Sequence, residues 1–292
     1  MEIHEEERAD FLQYQKAAGQ GNTDAMYNLG LCYKTGTGVK ADARQAVEWY
    51  RRAAELGNTA AMNNLGLCYG TGTGVKEDAR QEVEWYRRAA ELGDAAAMYN
   101  LGVCYGTGTG VKEDARQEAE WYRRAAELGN AAAMNNLGVC YKNGTGVEKD
   151  ARQGVEWYRK AAERGNEVAM NNLGWCYDNG TGVEKDAHQA VEWYRRAAEL
   201  GNADAMNNLG VCYKNGTGVE KDARQEVEWY RKAAELGSAA AMNNLGVCYE
   251  NGTGVEKDAR QALSWYDKGA ESGSSKAGEN AEELRQKLEL PL

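Results

Sequence analysis

Ala25-Met-Tyr-Asn-Leu-Gly-Leu-Cys-Tyr33, then Gly36-Thr-Gly-Val39, then Asp42-Ala-Arg-Gln-Ala-Val-Glu-Trp-Tyr50, is a sentence the chain repeats almost unchanged. Its Ala-Met opening returns at Ala25, Ala61, Ala97, Ala133, Ala169, Ala205 and Ala241, so seven copies of 36 residues occupy 252 of 292 residues. A fixed period of about 20–50 residues marks a solenoid, whose units bury their apolar faces only by stacking on neighbours. Such a chain mostly presents surface. Binding is therefore the first functional class to weigh.

Each repeat reads as two helices. Asn22 and its copies are good N-caps, and on a 3.6-residue wheel Ala25, Met26, Leu29, Cys32 and Tyr33 gather on one side of a helix A. Gly30 is small enough to let a neighbour come close, and Gly36-Thr-Gly-Val39 ends the helix. Asp42 with Gln45 three residues on predicts a capping box that opens helix B. Ala46, Trp49, Tyr50, Ala53 and Ala54 define its buried stripe, while Arg44, Glu48, Arg51, Arg52 and Glu55 form a solvated face with i,i+4 ion pairs. Residues 1–24 are expected to be an N-terminal capping half-repeat, 25–276 the seven repeats and 277–292 a C-terminal capping helix. Residues 275–289 read as that last helix, with Leu284 and Leu288 inward, giving sixteen helices and no strand.

Composition narrows the partners. A hydrophobic share of 42% supports a packed core, and a net charge of −10 repels nucleic acid and anionic membranes. No apolar run of about 18 residues occurs, so no membrane insertion is expected. Met1-Glu-Ile-His-Glu-Glu-Glu-Arg8 is unlike a signal peptide, which places the chain as read in the cytoplasm. Cys32, Cys68, Cys104, Cys140, Cys176, Cys212 and Cys248 fall once per repeat. Equivalent points on packed helices lie roughly 10 Å apart, too far for a disulfide, which needs Cα atoms within about 7 Å. Buried thiols in a reducing compartment are the expectation.

Leu29-Gly30-x-x-Tyr33 and Ala46-x-x-x-Tyr50 resemble the tetratricopeptide pattern, but at a 36-residue period and with no closing proline. With Gly-x-Gly-Val-x-x-Asp and Trp-Tyr-Arg-(Arg/Lys)-Ala-Ala-Glu, the chain is similar to the Sel-1-like repeat family over essentially its whole length. The resemblance implies an all-α, right-handed α/α superhelix of antiparallel helix pairs acting as an adaptor or scaffold in protein complexes, with helix A lining a concave groove. Members of the family occur in signalling, membrane-protein quality control and bacterial–host interaction. The family's secreted, disulfide-rich branch carries two cysteines per repeat; here only helix A has one.

Three aromatics break the register: Tyr27, Tyr99 and Trp175, all directed away from the core stripe of helix A. With Leu31 and Val103 they are candidate anchors for a protein or peptide segment, or else fillers between adjacent A helices. Beside them runs an asparagine ladder of Asn28, Asn64, Asn100, Asn136, Asn172, Asn208 and Asn244. Its amides could hold a peptide backbone, or each could bond the same local partner in every repeat. Catalysis is not expected: His4 and His188 stand isolated, and no zinc-protease, Ser-x-x-Lys or Gly-x-Ser-x-Gly pattern occurs. The glycine loops lack P-loop spacing, and the sequons at Asn143, Asn179, Asn215 and Asn251 are expected to be unused. No cofactor or metal is implied, and a monomer is expected. The competing readings are a structural or regulatory assembly module using the convex face or the ends, or a consensus-like array with little selected function. The individual substitutions Gly154, Arg164 and Trp175 count against the latter.

Overall fold

A computed structural model describes residues 5–288; His4 lies outside them. Helix α1 spans Glu5–Gly19. The A helices are α2 Thr23–Thr35, α4 Thr59–Thr71, α6 Ala95–Thr107, α8 Ala131–Asn143, α10 Glu167–Asn179, α12 Ala203–Asn215 and α14 Ala239–Asn251. The B helices are α3 Ala43–Glu55, α5 Ala79–Glu91, α7 Ala115–Glu127, α9 Ala151–Glu163, α11 Ala187–Glu199, α13 Ala223–Glu235 and α15 Ala259–Glu271, and α16 is Ser275–Lys287. The described residues thus form sixteen helices and no strand, an all-α repeat solenoid.

The termini of each helix follow from chemistry in the repeat. Asn22 keeps extended backbone and its side chain accepts from Ala25 N at 2.8 Å, which satisfies one orphan donor of α2. Gly36 takes φ 81° and closes the helix on the Cys32 carbonyl. Asp42 caps α3 by accepting from Arg44 N and Gln45 N. The reciprocal half of the expected capping box is not made. The Asp42 amide instead donates to the Tyr33 carbonyl at 2.8 Å, which ties the start of helix B to the last turn of helix A.

By compactness the chain divides into Met1–Lys149 and Asp150–Leu292. Within each unit consecutive helices pack on one another: α1 through α8 in the first, α9 through α16 in the second. In the first unit, Leu65 and Tyr86 lie fully inside with Ala61, Met62, Cys68, Val83, Ala89 and Ala90. Gly66 makes this packing possible, because a Cβ there would stand 2.6 Å from the Tyr86 ring. The loop glycine Gly74 (φ 74°) serves the join between repeats: its absent Cβ would fall 2.1 Å from the Ala43 carbonyl oxygen of the preceding B helix.

Three expectations need correction. Val47, not Trp49, takes the inward place on helix B, because residues 46, 47, 50, 53 and 54 span the buried arc and residue 49 lies at its edge. The indole is half-buried and covered from outside by the Arg52 guanidinium at 4.7 Å, a cation–π contact found again at Trp85, Trp121, Trp157, Trp193, Trp229 and Trp265. Arg51 is not merely solvated: its Nη2 donates to the Tyr69 hydroxyl of the next repeat at 3.1 Å, as Arg123 does to Tyr141 at 2.9 Å. Leu284 is buried, but Leu288, just past the end of α16 at Lys287, is 39% exposed. The i,i+4 pairs do form, for example Glu84–Arg88 at 3.0 Å and Glu228–Lys232 at 2.8 Å, each contributing about 0.3–0.5 kcal/mol at most.

Candidate functional site

The candidate residues lie along helix A, beside its buried stripe. One aliphatic or aromatic side chain per repeat occupies the same position along it. In the first unit Leu31 and Val103 are half-buried and Leu67 is 43% exposed; in the second, Trp175 is 41% and Val211 36% exposed. Tyr27 and Tyr99 belong to the first unit and are only half-exposed, since their rings pack on Tyr50 and Tyr122 with centroids 6.0 and 5.8 Å apart. They therefore fill space between the helices of their own repeat.

The asparagines are half-buried throughout, and most amide nitrogens are engaged. Asn100 donates to Asn63 Oδ1 of the preceding repeat at 2.9 Å; Asn208 does the same to Asn171 at 3.0 Å and Asn244 to Asn207 at 2.9 Å. Asn280 of α16 continues the series onto Asn243 at 2.8 Å, a rung that sequence reading missed although the residue sits 36 positions after Asn244. Where the preceding repeat offers Tyr27 in place of asparagine, Asn64 donates to its own helix at Ala60 O. Where it offers Tyr99, Asn136 accepts from its neighbour Asn135 at 3.2 Å. Asn28 and Asn172 keep the same half-buried position. The rungs join successive A helices and hold the wall in register.

Sequence reading also missed a set of enclosed carboxylates at one helix B position: Glu82, Glu118 and Glu226. Glu226 is only 2% exposed and accepts from the Cys248 thiol at 3.6 Å. Glu82 fits because Gly70 faces it; a Cβ on Gly70 would stand 2.4 Å from its Oε1, and Gly106 faces Glu118 likewise at 2.6 Å. That pairing of glycine on A with glutamate on B was the available sequence signal. Burial raises all three carboxyls above the ordinary carboxylate range. Burial first, and then the neighbouring carboxylates, push the Cys104, Cys140 and Cys248 thiols up to about 12. At neutral pH these groups are thiols, not thiolates, and lack nucleophilic character. All seven cysteines are free and buried.

His188 stands exposed on α11. Among the described residues no three His, Cys, Asp or Glu side chains converge to hold a metal, and no helix is long and apolar enough to cross a membrane.

The Sel1 repeat is matched seven times, at residues 23–58, 59–94, 95–130, 131–166, 168–202, 203–238 and 239–274. The chain belongs to the Sel1 repeat family. Sel1 repeat proteins are interaction scaffolds that bind other proteins. Among solved structures, a protective antigen present in uropathogenic Escherichia coli strains, c5321, which displays an SLR fold, is 40% identical with a TM-score of 0.77 over 94% of this chain. The match spans 59% of the length of that antigen. A Sel1 repeat protein from Oxalobacter formigenes is 32% identical, with a TM-score of 0.75 over 94% of this chain and 79% of its own. No curated protein matches the chain significantly.

Proposed function

We propose that this Sel1 repeat protein is a non-catalytic scaffold that takes an extended segment of a partner protein along its helix A face. The observation that carries this reading is a row of partly exposed apolar side chains at one helix A position within each unit, Leu31, Leu67 and Val103 in the first and Trp175 and Val211 in the second. Apolar and aromatic anchors dominate interface energies, and one anchor per repeat suits a segment running across the repeats. Tyr27 and Tyr99, half-buried beside this row, would add contacts. Asn28, Asn64, Asn100, Asn136, Asn172 and Asn208 would border the segment, while Asn100 and Asn208 also tie successive A helices together. The helix B face is a poorer anchor surface, because its tryptophans already carry a cation on the outer ring face.

Photo-crosslinking tests the assignment. A crosslinker placed at residue 67 or 175 should trap partner protein, and one at Arg52 or Arg124 on helix B should not. Crosslinks confined to helix B or to the ends would overturn the helix A reading in favour of an assembly module.

A further inference from the structure

A cavity of about 210 Å³ opens between the first and second repeats. Ala46, Tyr50 and Cys68 line its buried floor, and Lys34, Leu67 and Thr71 stand at an exposed rim. The Tyr50 side chain is wholly buried, yet its hydroxyl has no hydrogen-bond partner. Burial and the nearby thiols raise its pKa, so the hydroxyl keeps its proton and remains a donor without an acceptor. Such orphans are rare in folded proteins, since water no longer satisfies them.

Other repeats show what this place holds. Repeat 6 carries the same lysine, tyrosine and thiol as Lys214, Tyr230 and Cys248, but with Glu226 where repeat 1 has Ala46. The Glu226 carboxyl accepts from Cys248; burial raises its pKa, the positive charges of Lys214 and Lys221 oppose that shift, and the Tyr230 hydroxyl is left without a partner. In repeats 2 and 3, Glu82 and Glu118 occupy the equivalent position and accept from the Tyr86 and Tyr122 hydroxyls, neither of which is left unpartnered. In repeat 7 the acid comes from helix A, and Tyr266 donates to Glu250 at 2.8 Å. Repeat 1 has a cation at the rim and a hydroxyl donor on the floor, but no acid between them.

We propose that this cavity binds a carboxylate on a short aliphatic stem, seated where Glu82 sits beside Tyr86 in repeat 2, between the Lys34 ammonium and the Tyr50 hydroxyl. Ala46 and Leu67 take the stem, and the carboxylate supplies the acceptor that Tyr50 lacks. The source is a glutamate side chain or a chain terminus of the bound segment. The inference deepens the helix A reading by naming the chemistry of one partner contact, and it stands on the cavity rather than on the apolar line.

The test uses the intact chain and butyrate as probe, followed by saturation-transfer NMR, with butyramide as the neutral isostere. Butyrate should bind saturably and butyramide at least about tenfold more weakly, the factor expected for one charge-assisted hydrogen bond. Ala46→Glu places the acid in cis, as repeat 6 tolerates, and should abolish butyrate binding while circular dichroism stays unchanged. Lys34→Met should weaken butyrate and leave butyramide unaffected. Displacement of butyrate by a C-terminally amidated peptide with one internal glutamate assigns the side chain as source. Displacement by a glutamate-free peptide with a free terminus assigns the terminus. No saturable butyrate binding, equal affinity for butyramide, or full binding by Ala46→Glu would each overturn the proposal. None of these results bears on where partner crosslinks form, so the two readings fall separately.

Discussion

Two glycines of one loop, Gly72 and Gly74, offer a controlled comparison of backbone strain with packing between repeats. Both hold left-handed φ, 69° and 74°. Placing alanine in that conformation costs about 1–2 kcal/mol wherever it occurs. At Gly72 the nearest atom to an added Cβ is 3.5 Å away, so Gly72→Ala should cost that amount and little more. At Gly74 the added Cβ would lie 2.1 Å from the Ala43 carbonyl oxygen, and ordinary contact demands a retreat of about 1.3 Å by the loop or the start of α3. Overpacking of this kind costs about 1–3 kcal/mol, so Gly74→Ala should total about 2–5 kcal/mol. Guanidinium unfolding of both variants measures the difference. Because repeat arrays can lose two-state behaviour, amide exchange of residues 44–47 gives the local readout. Gly74→Ala should lower protection there and Gly72→Ala should not. Two variants of equal stability, within about 0.5 kcal/mol, would refute the view that this loop clamps the preceding repeat.

Further tests address the missed acids, the ladder and the thiols. The folded-state pKa of Glu226 is raised by burial, so the stability it contributes is full below the ordinary carboxylate range and is lost as pH rises through the raised value. Glu226→Gln, which mimics the protonated form, should therefore gain stability relative to the parent as pH is taken from 4 to 7 in denaturant titrations; a pH-independent difference would contradict the shift. Asn207→Ala removes the acceptor of the Asn244 rung at 2.9 Å and should cost about 0.5–1.5 kcal/mol. A double-mutant cycle with Asn244→Ala should return a coupling of that order, and zero coupling would show the rung to be energetically idle. Native Cys104, Cys140 and Cys248 should resist a disulfide exchange reagent at pH 8 until the chain unfolds; labelling as fast as in denaturant would show that the thiols are not shielded as described.

Much of the architecture was legible in the repeat. Caps such as Asn22 and Asp42, the terminating Gly36 and the alternation of two apolar stripes are local signals, because a helix end is settled by a few neighbouring backbone groups. The small residue at Gly30 also announced close packing, although not that the Tyr50 ring would fill the space. The site was less legible. Tyr27 and Tyr99 stood out as breaks in register, yet only coordinates show their rings lying on Tyr50 and Tyr122.

By itself the sequence determined seven helical hairpins, their boundaries and which residues recur, since periodicity, capping and hydrophobic pattern act over a turn or two of helix. Tertiary structure alone decided that Asn100 reaches Asn63, that Arg51 reaches Tyr69, and that the Tyr50 hydroxyl is buried without an acceptor. The first two relations join residues 37 and 18 positions apart, and whether a polar group is satisfied depends on what stacking brings to it.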